Sequence, residues 1–472
     1  MKNSLKTIVL ILLCSTLIQS QNSQWWEPVT AFPDEHFFPS YVIATAQMWK
    51  NEINDGVVGE IRGIIGITME NKRNNAEYLL EISAPDIAYD TKYSFTIPSA
   101  SSIDWFNVYP NINYKFDRLR NFSQPTPASV SFTLYENGKK CRTKNITIIV
   151  HNIYDCPLWL IGTDNSSLDL SYMFSAYVNE NDPSIEELKR EALNTGIISQ
   201  FPGYQSGVES EVWMQVTALW SVLYNRGITY SNRTTPSVGI NQDLLFCQQV
   251  RFPSDALKTS QANCIDGTVL FASLLRNIGI HSVIVLVPGH AFVGFIPTDG
   301  YNLPTSDYVF LETTELGTKV SENQIAPDLI KLYKESLSDE IYSRNKNSIL
   351  NFIYCYFVGQ NKFDQAETKI DEMERFYQLI DVDLARLNFV RSQSVNSIKD
   401  SLYLNAIVGM EKQFKDVPYS SLISFNEAQY NYYEGTKYDP NGSDMYKWEI
   451  KKALEICNST IEKYPDTFGA SE

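Results

Sequence analysis

The apolar positions of this chain change period along its length. From about Gly56 to Tyr154, short alternating or β-branched runs are separated by turn residues: Ile64 to Thr68, Tyr78 to Ile82, Tyr93 to Ile97, Val130 to Leu134 and Ile146 to Val150. A period of two sends one set of side chains into a core and the other to solvent, so each run reads as a half-buried strand. Asn137-Gly138, a pair that accepts positive φ, marks a tight hairpin turn. The size and spacing predict an immunoglobulin-like β-sandwich over residues 56–155. The segment before it, 21–55, carries Trp25-Trp26-Glu27-Pro28 and reads as an extended lead-in packed on a domain.

Beyond Cys156 the period becomes helical. Asp182-Pro183-Ser184-Ile185-Glu186-Glu187 opens a helix, with Ser184 and Glu187 at capping-box spacing, and Gly196 closes it. Val208 to Tyr224 puts Val212, Val216, Leu219 and Leu223 on one face, with Trp213 and Trp220 as core bulk. The stretch from Gln261 to Thr314 then combines both periods. Asn263 can cap a helix whose first turn holds Asp266, whose last turn holds Arg276 and whose stop is Gly279. Cys264 therefore lies at or near the first helical position, where the helix dipole and unpaired backbone N–H groups stabilise a thiolate.

Two strands and a polar loop follow. Ser282 to Val287 is a β-branched apolar run, Pro288-Gly289 turns the chain, and His290 to Phe295 reads as the next strand. The loop from Thr298 to Asp307 leads into Tyr308 to Thr314. Folding these as an antiparallel pair about Tyr301 sets His290 against Glu312 or Thr313. A carboxylate on one imidazole nitrogen leaves the other for Cys264, which is the nucleophile, base and orienter logic of thiol catalysis. Alone, a cysteine on an apolar helix is ordinarily a small buried hydrophobe; the three segments together carry the chemical reading.

These same segments, Asn263-Cys264-Ile265-Asp266, Gly289-His290-Ala291-Phe292-Val293 and Leu311-Glu312-Thr313-Thr314, resemble the core of the transglutaminase-like superfamily, relatives of papain-like cysteine peptidases. The order Cys, His, acid is that family's. The resemblance implies an α+β, papain-like catalytic domain over 156–317, with Cys264 as nucleophile, His290 as general base and acid, and Glu312 orienting the imidazole. Departures are Glu-Thr-Thr where Asp-Pro-Thr is common, Asn263 where glycine is frequent, and Phe292 in place of tryptophan. An aromatic upstream of the cysteine assists the oxyanion site in some members, and Tyr230 is the candidate here; the Cys264 backbone N–H is the more generic donor. The resemblance also implies that 318–419 is a helical insertion; a plain accessory helical domain is the alternative. Within it and beyond, helices are read at Ile325 to Tyr342, Ile349 to Val358, Phe363 to Leu379 and Ile398 to Phe414, with further C-terminal helices in 420–472.

Composition narrows the setting. A formal charge of -16 on 472 residues argues against nucleic acid or anionic membrane surfaces as partners; a protein or peptide substrate is what the resemblance implies. Residues 1–20 have the basic start and short apolar core of a signal peptide, which predicts a periplasmic, cell-envelope or secreted protein with no stable membrane span. Export would expose the cysteines to oxidation; Cys141 with Cys156 is the most local pairing, and Cys264 with Cys247 an alternative to a free nucleophile. His36 and His151 lack a companion at ligand spacing and His281 reads as structural, so neither metal nor cofactor is expected. The expected function is an exported thiol enzyme cleaving or transferring acyl groups at amide or peptide bonds. The alternative is an inactive domain of the same fold serving as an extracellular binding module.

Overall fold

The computed structural model describes residues 25–46, 51–54, 56–60, 63–97, 99–161, 167–231, 244–298, 308–372 and 374–388. The leader-like segment, Cys457 and the helices expected after residue 388 lie outside them. The chain divides into a large unit, Met1–Trp49 with Ile53–Asn396, and a small one, Lys50–Glu52 with Ser397–Glu472; the elements below belong to the first. The fold class is α+β, with several separate sheets.

The N-terminal part is built from two sheets. In one, Trp26–Thr30, Ile65–Glu70, Trp105–Tyr109 and Val57–Glu60 lie side by side in that order. In the other the order is His36–Phe37, Lys139–Val150, Thr126–Glu136, Glu77–Ser83 and Thr91–Thr96. Alternation does the expected work in the second sheet, where Tyr78, Leu80 and Ile82 are buried between half-exposed or exposed neighbours, as are Val130, Phe132 and Leu134. These side chains share one core with Trp26, Ile65, Ile67, Met69, Phe106 and Val108 of the first sheet. Burying each such side chain is worth roughly 1.5–3 kcal/mol. Asn137 and Gly138 both have positive φ, 49° and 73°, as the tight hairpin between the two longest strands requires. The lead-in is woven into the sheets: Trp26 pairs with Met69, and His36–Phe37 runs parallel to Ile149–Val150.

In the second part, Asp182 rather than Ser184 caps the helix Pro183–Asn194, its Oδ1 accepting the Ser184 N–H at 2.9 Å. Proline at the first helical position sets this frame. Helices Glu209–Asn225 and Cys264–Asn277 pack into the main core. The sheet order is Val309–Leu311, His290–Phe295, Ser282–Val287 and Gln378–Asp381, every pairing antiparallel. One face packs Ile284, Val293 and Phe295 into the main core, while Val283, Val285, Phe292 and Phe310 form a second cluster with Phe363.

That second cluster joins residues on both sides of position 317. Asp339–Asp371 is one 33-residue helix laid against the sheet. The Phe363 and Phe310 rings stack with centroids 3.8 Å apart. Gly359 is what allows the approach, since a Cβ there would sit 2.6 Å from the Phe310 carbonyl oxygen. The indole N–H of fully buried Trp220 donates to Asn351 Oδ1 on the same helix at 2.8 Å. The helix expected to run to Leu379 stops at Asp371, Phe376 takes a φ of 71°, and Gln378–Asp381 joins the sheet beside Ser282–Val287. Four residues are too few for periodicity to separate a strand from a helix end. The helical block thus packs against the same sheet and core as the residues before 317.

Candidate active site

The site begins at the cap of the cysteine helix. Asn263 Oδ1 accepts the Asp266 N–H at 2.8 Å, and Asp266 Oδ2 accepts the Asn263 N–H at 3.2 Å, a reciprocal capping box. Arg251 clamps the same carboxylate, its N–H at 2.8 Å and its Nε at 3.0 Å. Burial pushes the Asp266 carboxyl up, against the pull of these donors. With the start fixed in this way, Cys264 is the first helical residue, half-buried, at a position whose backbone N–H has no acceptor within the helix.

His290 opens its strand immediately after Gly289, which turns at a φ of 73°. Its Nε2 lies 2.7 Å from Glu312 Oε2. The pairing is not made straight across the ladder. Val293 faces Leu311 and the ladder ends there; continued, it would set His290 against Thr314. Glu312 is therefore a diagonal neighbour on the same face, a separation that long side chains bridge. The extra methylene of glutamate relative to aspartate supplies the reach. The strand end is held by the long helix, whose Cys355 carbonyl accepts the Glu312 N–H at 3.0 Å.

Glu312 is fully buried and saturated with donors. Oε1 accepts from the Thr314 N–H at 3.0 Å and its hydroxyl at 2.6 Å, while Oε2 takes His290 Nε2 and Lys362 Nζ, both at 2.7 Å. Burial alone would raise this carboxyl; hydrogen bonds and charge from His290, Lys362 and Thr314 outweigh it and hold the group at about 2. Burial works against the charged imidazole as well, yet hydrogen bonding to Cys264 and Glu312 raises His290 to about 9. With Nε2 taken by the carboxylate, Nδ1 is the nitrogen left for the thiol.

Tyr230 is brought to the same place. Thr229–Tyr230 pairs parallel with Gln261–Ala262, with Tyr230 opposite Ala262, two residues before Cys264. Its hydroxyl is pushed up by burial and by the charges of Cys264 and Glu312, and the residue is 43 % exposed, at the rim. Gly267 lets Thr313 close over the helix, since a Cβ there would meet Thr313 Oγ1 at 2.9 Å.

Lys362 was missed by sequence reasoning. A signal existed: it follows Cys355 by seven positions and precedes Phe363, so a cation borders the helix's buried stripe. Nothing local to Lys362 says which pocket it enters.

The remaining candidates fall elsewhere. The five described cysteines are all free, which corrects both expected pairings. Burial pushes the thiols of Cys156, Cys247 and Cys355 well above the ordinary range, and burial with Glu136 raises Cys141. Among the described cysteines, Cys264 alone begins a long helix beside an imidazole. The two histidines thought to lack companions meet in the core: His36 Nδ1 is 2.8 Å from His151 Nε2, and His151 Nδ1 is 3.2 Å from Asp155 Oδ2. His281 lies between Asp381 at 3.0 Å and Asp383 at 2.9 Å, and these hold it protonated, at about 9, despite burial. The three offer ligand atoms within 4.8 Å of one another, but Arg276 also pairs with Asp383, so cations already occupy the acceptors. An apolar cleft of about 970 Å³, between Glu209–Asn225, Pro327–Ser336 and Asp339–Asp371, is lined by Trp213, Leu332 and Phe352 and excludes the site residues. No helix among the described residues is long and apolar enough to cross a membrane.

The chain matches no protein-family model and no curated protein sequence.

Proposed function

We propose that this chain is a thiol-dependent acyl-transfer enzyme with a transglutaminase-like, papain-like catalytic domain, acting on amide or peptide bonds of a protein or peptide. The observation that carries the reading is the His290–Glu312 contact at 2.7 Å beside Cys264, with the carboxylate buried and the thiol at a helix N-terminus. The Cys264 thiolate attacks the carbonyl carbon and a C–S bond forms. The oxyanion is met by the Cys264 backbone N–H, with the Tyr230 hydroxyl as second donor. Collapse breaks the C–N bond, and the Nδ1 proton of His290 passes to the leaving amine. Water or a primary amine then attacks the thioester, gives its proton to His290, and releases acid or new amide with the thiolate restored. Glu312 remains ionised throughout and holds the ring in the required tautomer.

The test is the rate of iodoacetamide labelling at Cys264 against pH, read by peptide mass spectrometry, in wild type and His290→Ala. Labelling that persists well below the reference thiol pKa of about 8.5 in wild type, and is lost in the variant, is the expected result. Equal profiles in the two proteins would overturn the reading and favour a binding module of the same fold.

A further inference from the structure

We infer that Lys362 is a fourth member of the site, a positioning residue that shares the Glu312 carboxylate with His290 and sets the charge balance of the Cys264–His290 pair. The inference deepens the reading of the site as a thiol centre and rests on it for its chemical meaning.

Lys362 Nζ is 2.7 Å from Glu312 Oε2 and 3.1 Å from His290 Nε2. An ammonium only donates, and His290 Nε2 must itself donate to the carboxylate 2.7 Å away. The lysine contact with the ring is therefore not a hydrogen bond but the meeting of two donors on one oxygen. That arrangement fixes the tautomer: a ring proton on Nε2 is demanded by Glu312, and an unprotonated Nε2 would leave two acceptors in contact. It also places two cations against one carboxylate. The charged groups around the imidazole among the described residues are then Cys264 from the cysteine helix, Glu312 from the strand end and Lys362 from the long helix, with Tyr230 at the rim.

The consequences have definite signs. The charge of Lys362 disfavours the imidazolium and its bond favours the Glu312 carboxylate. A nearby cation also favours a thiolate. Lys362 thus favours the thiolate by its charge and keeps the imidazole from being held too tightly protonated to give up its proton. Because the side chain is 39 % exposed, the interaction is partly screened and the effect is on the order of one pKa unit.

The test uses Lys362→Met and Lys362→Arg in the full chain, with thermal unfolding to establish that each is folded. In Lys362→Met the acid edge of Cys264 alkylation and the His290 imidazole titration, followed by NMR, should both move up by about one unit. Lys362→Arg should restore both. A residue that merely docks the helix would lower the melting temperature of the Met variant without moving the two titrations together. Unmoved titrations in folded Lys362→Met would overturn the inference. An inert Cys264 in wild type would instead sink the thiol-centre reading, and the His290 titration would still decide whether Lys362 sets the ring's charge.

Discussion

The sharpest perturbation of this site is Glu312→Gln, which keeps the shape of the side chain and removes its charge. The carboxylate accepts four hydrogen bonds in a fully buried position. A glutamine cannot replace it on both ends. If its carbonyl takes the two Thr314 donors, its amide N–H groups face His290 and Lys362, and the ring must turn its unprotonated nitrogen toward them. The proton then sits on the nitrogen facing Cys264, the wrong tautomer for a base, a fault that costs about 10⁴ in rate in serine proteases. The charge term points the same way. Unit charges roughly 4 Å apart at an effective dielectric constant of about 20 interact by about 4 kcal/mol, or about three pKa units. Lys362, no longer neutralised, adds repulsion. The His290 imidazole should therefore fall from about 9 to its ordinary value of 6.5 or below. The chain has only four histidines, so the ring can be followed by NMR through one substitution at a time. The expected result is a downward shift of at least two units with a parallel loss of Cys264 labelling. A His290 titration left near 9 in the variant would refute the claim that Glu312 sets the ring's charge.

Two further outcomes follow from the same contacts. Gly359→Ala drives a methyl group into the Phe310 backbone, so stability should fall by about 1–3 kcal/mol, measured as a lower urea midpoint, and Cys264 labelling should weaken as Lys362 is displaced; an unchanged midpoint would mean that the helix does not bear on the strand. Stability should also depend on pH through the site pair. Glu312 is held below its ordinary 4.5, so its contribution is present above that pH and lost as pH falls toward 2; His290 is held above 6.5, so its contribution is full below that pH and lost as pH rises through 9. Chemical denaturation across pH should show both slopes in wild type and shallower ones in Glu312→Gln, where His281, held at about 9 by Asp381 and Asp383, keeps its own alkaline contribution.

Legibility in the sequence followed the range of the interactions. The cap at Asn263 and the hairpin at Asn137-Gly138 are written in adjacent residues, and the strands 282–287 and 290–295 in local alternation. The Glu312 contact was nearly legible, since register ties His290 to the next strand, but the ladder runs one step beyond the expected alignment and side-chain length closes the gap. Lys362 was not legible, because what gives it a role is the glycine-mediated docking of its helix on Phe310, nearly fifty residues away. The strand 378–381 failed for another reason. Leu379 continues a helical spacing, and only the pairing with Ser282–Val287 makes it a strand.

The charge arrangement explains why the long helix belongs to the site rather than beside it. A buried carboxylate is costly unless donors surround it, and His290 with Thr314 would leave Glu312 with one cation whose charge depends on pH. Lys362 adds a second donor on the same oxygen, whose bond favours the Glu312 carboxylate alongside that of His290. On the thiol-enzyme reading proposed above, the imidazole would cycle between acid and base without the site losing its anchor. A site so built requires the Asp339–Asp371 helix in place before the thiol and imidazole can act as a pair. If Cys264 is the proposed nucleophile, its reactivity belongs to the assembled domain, and fragments ending at residue 317 should leave it unlabelled by iodoacetamide at neutral pH.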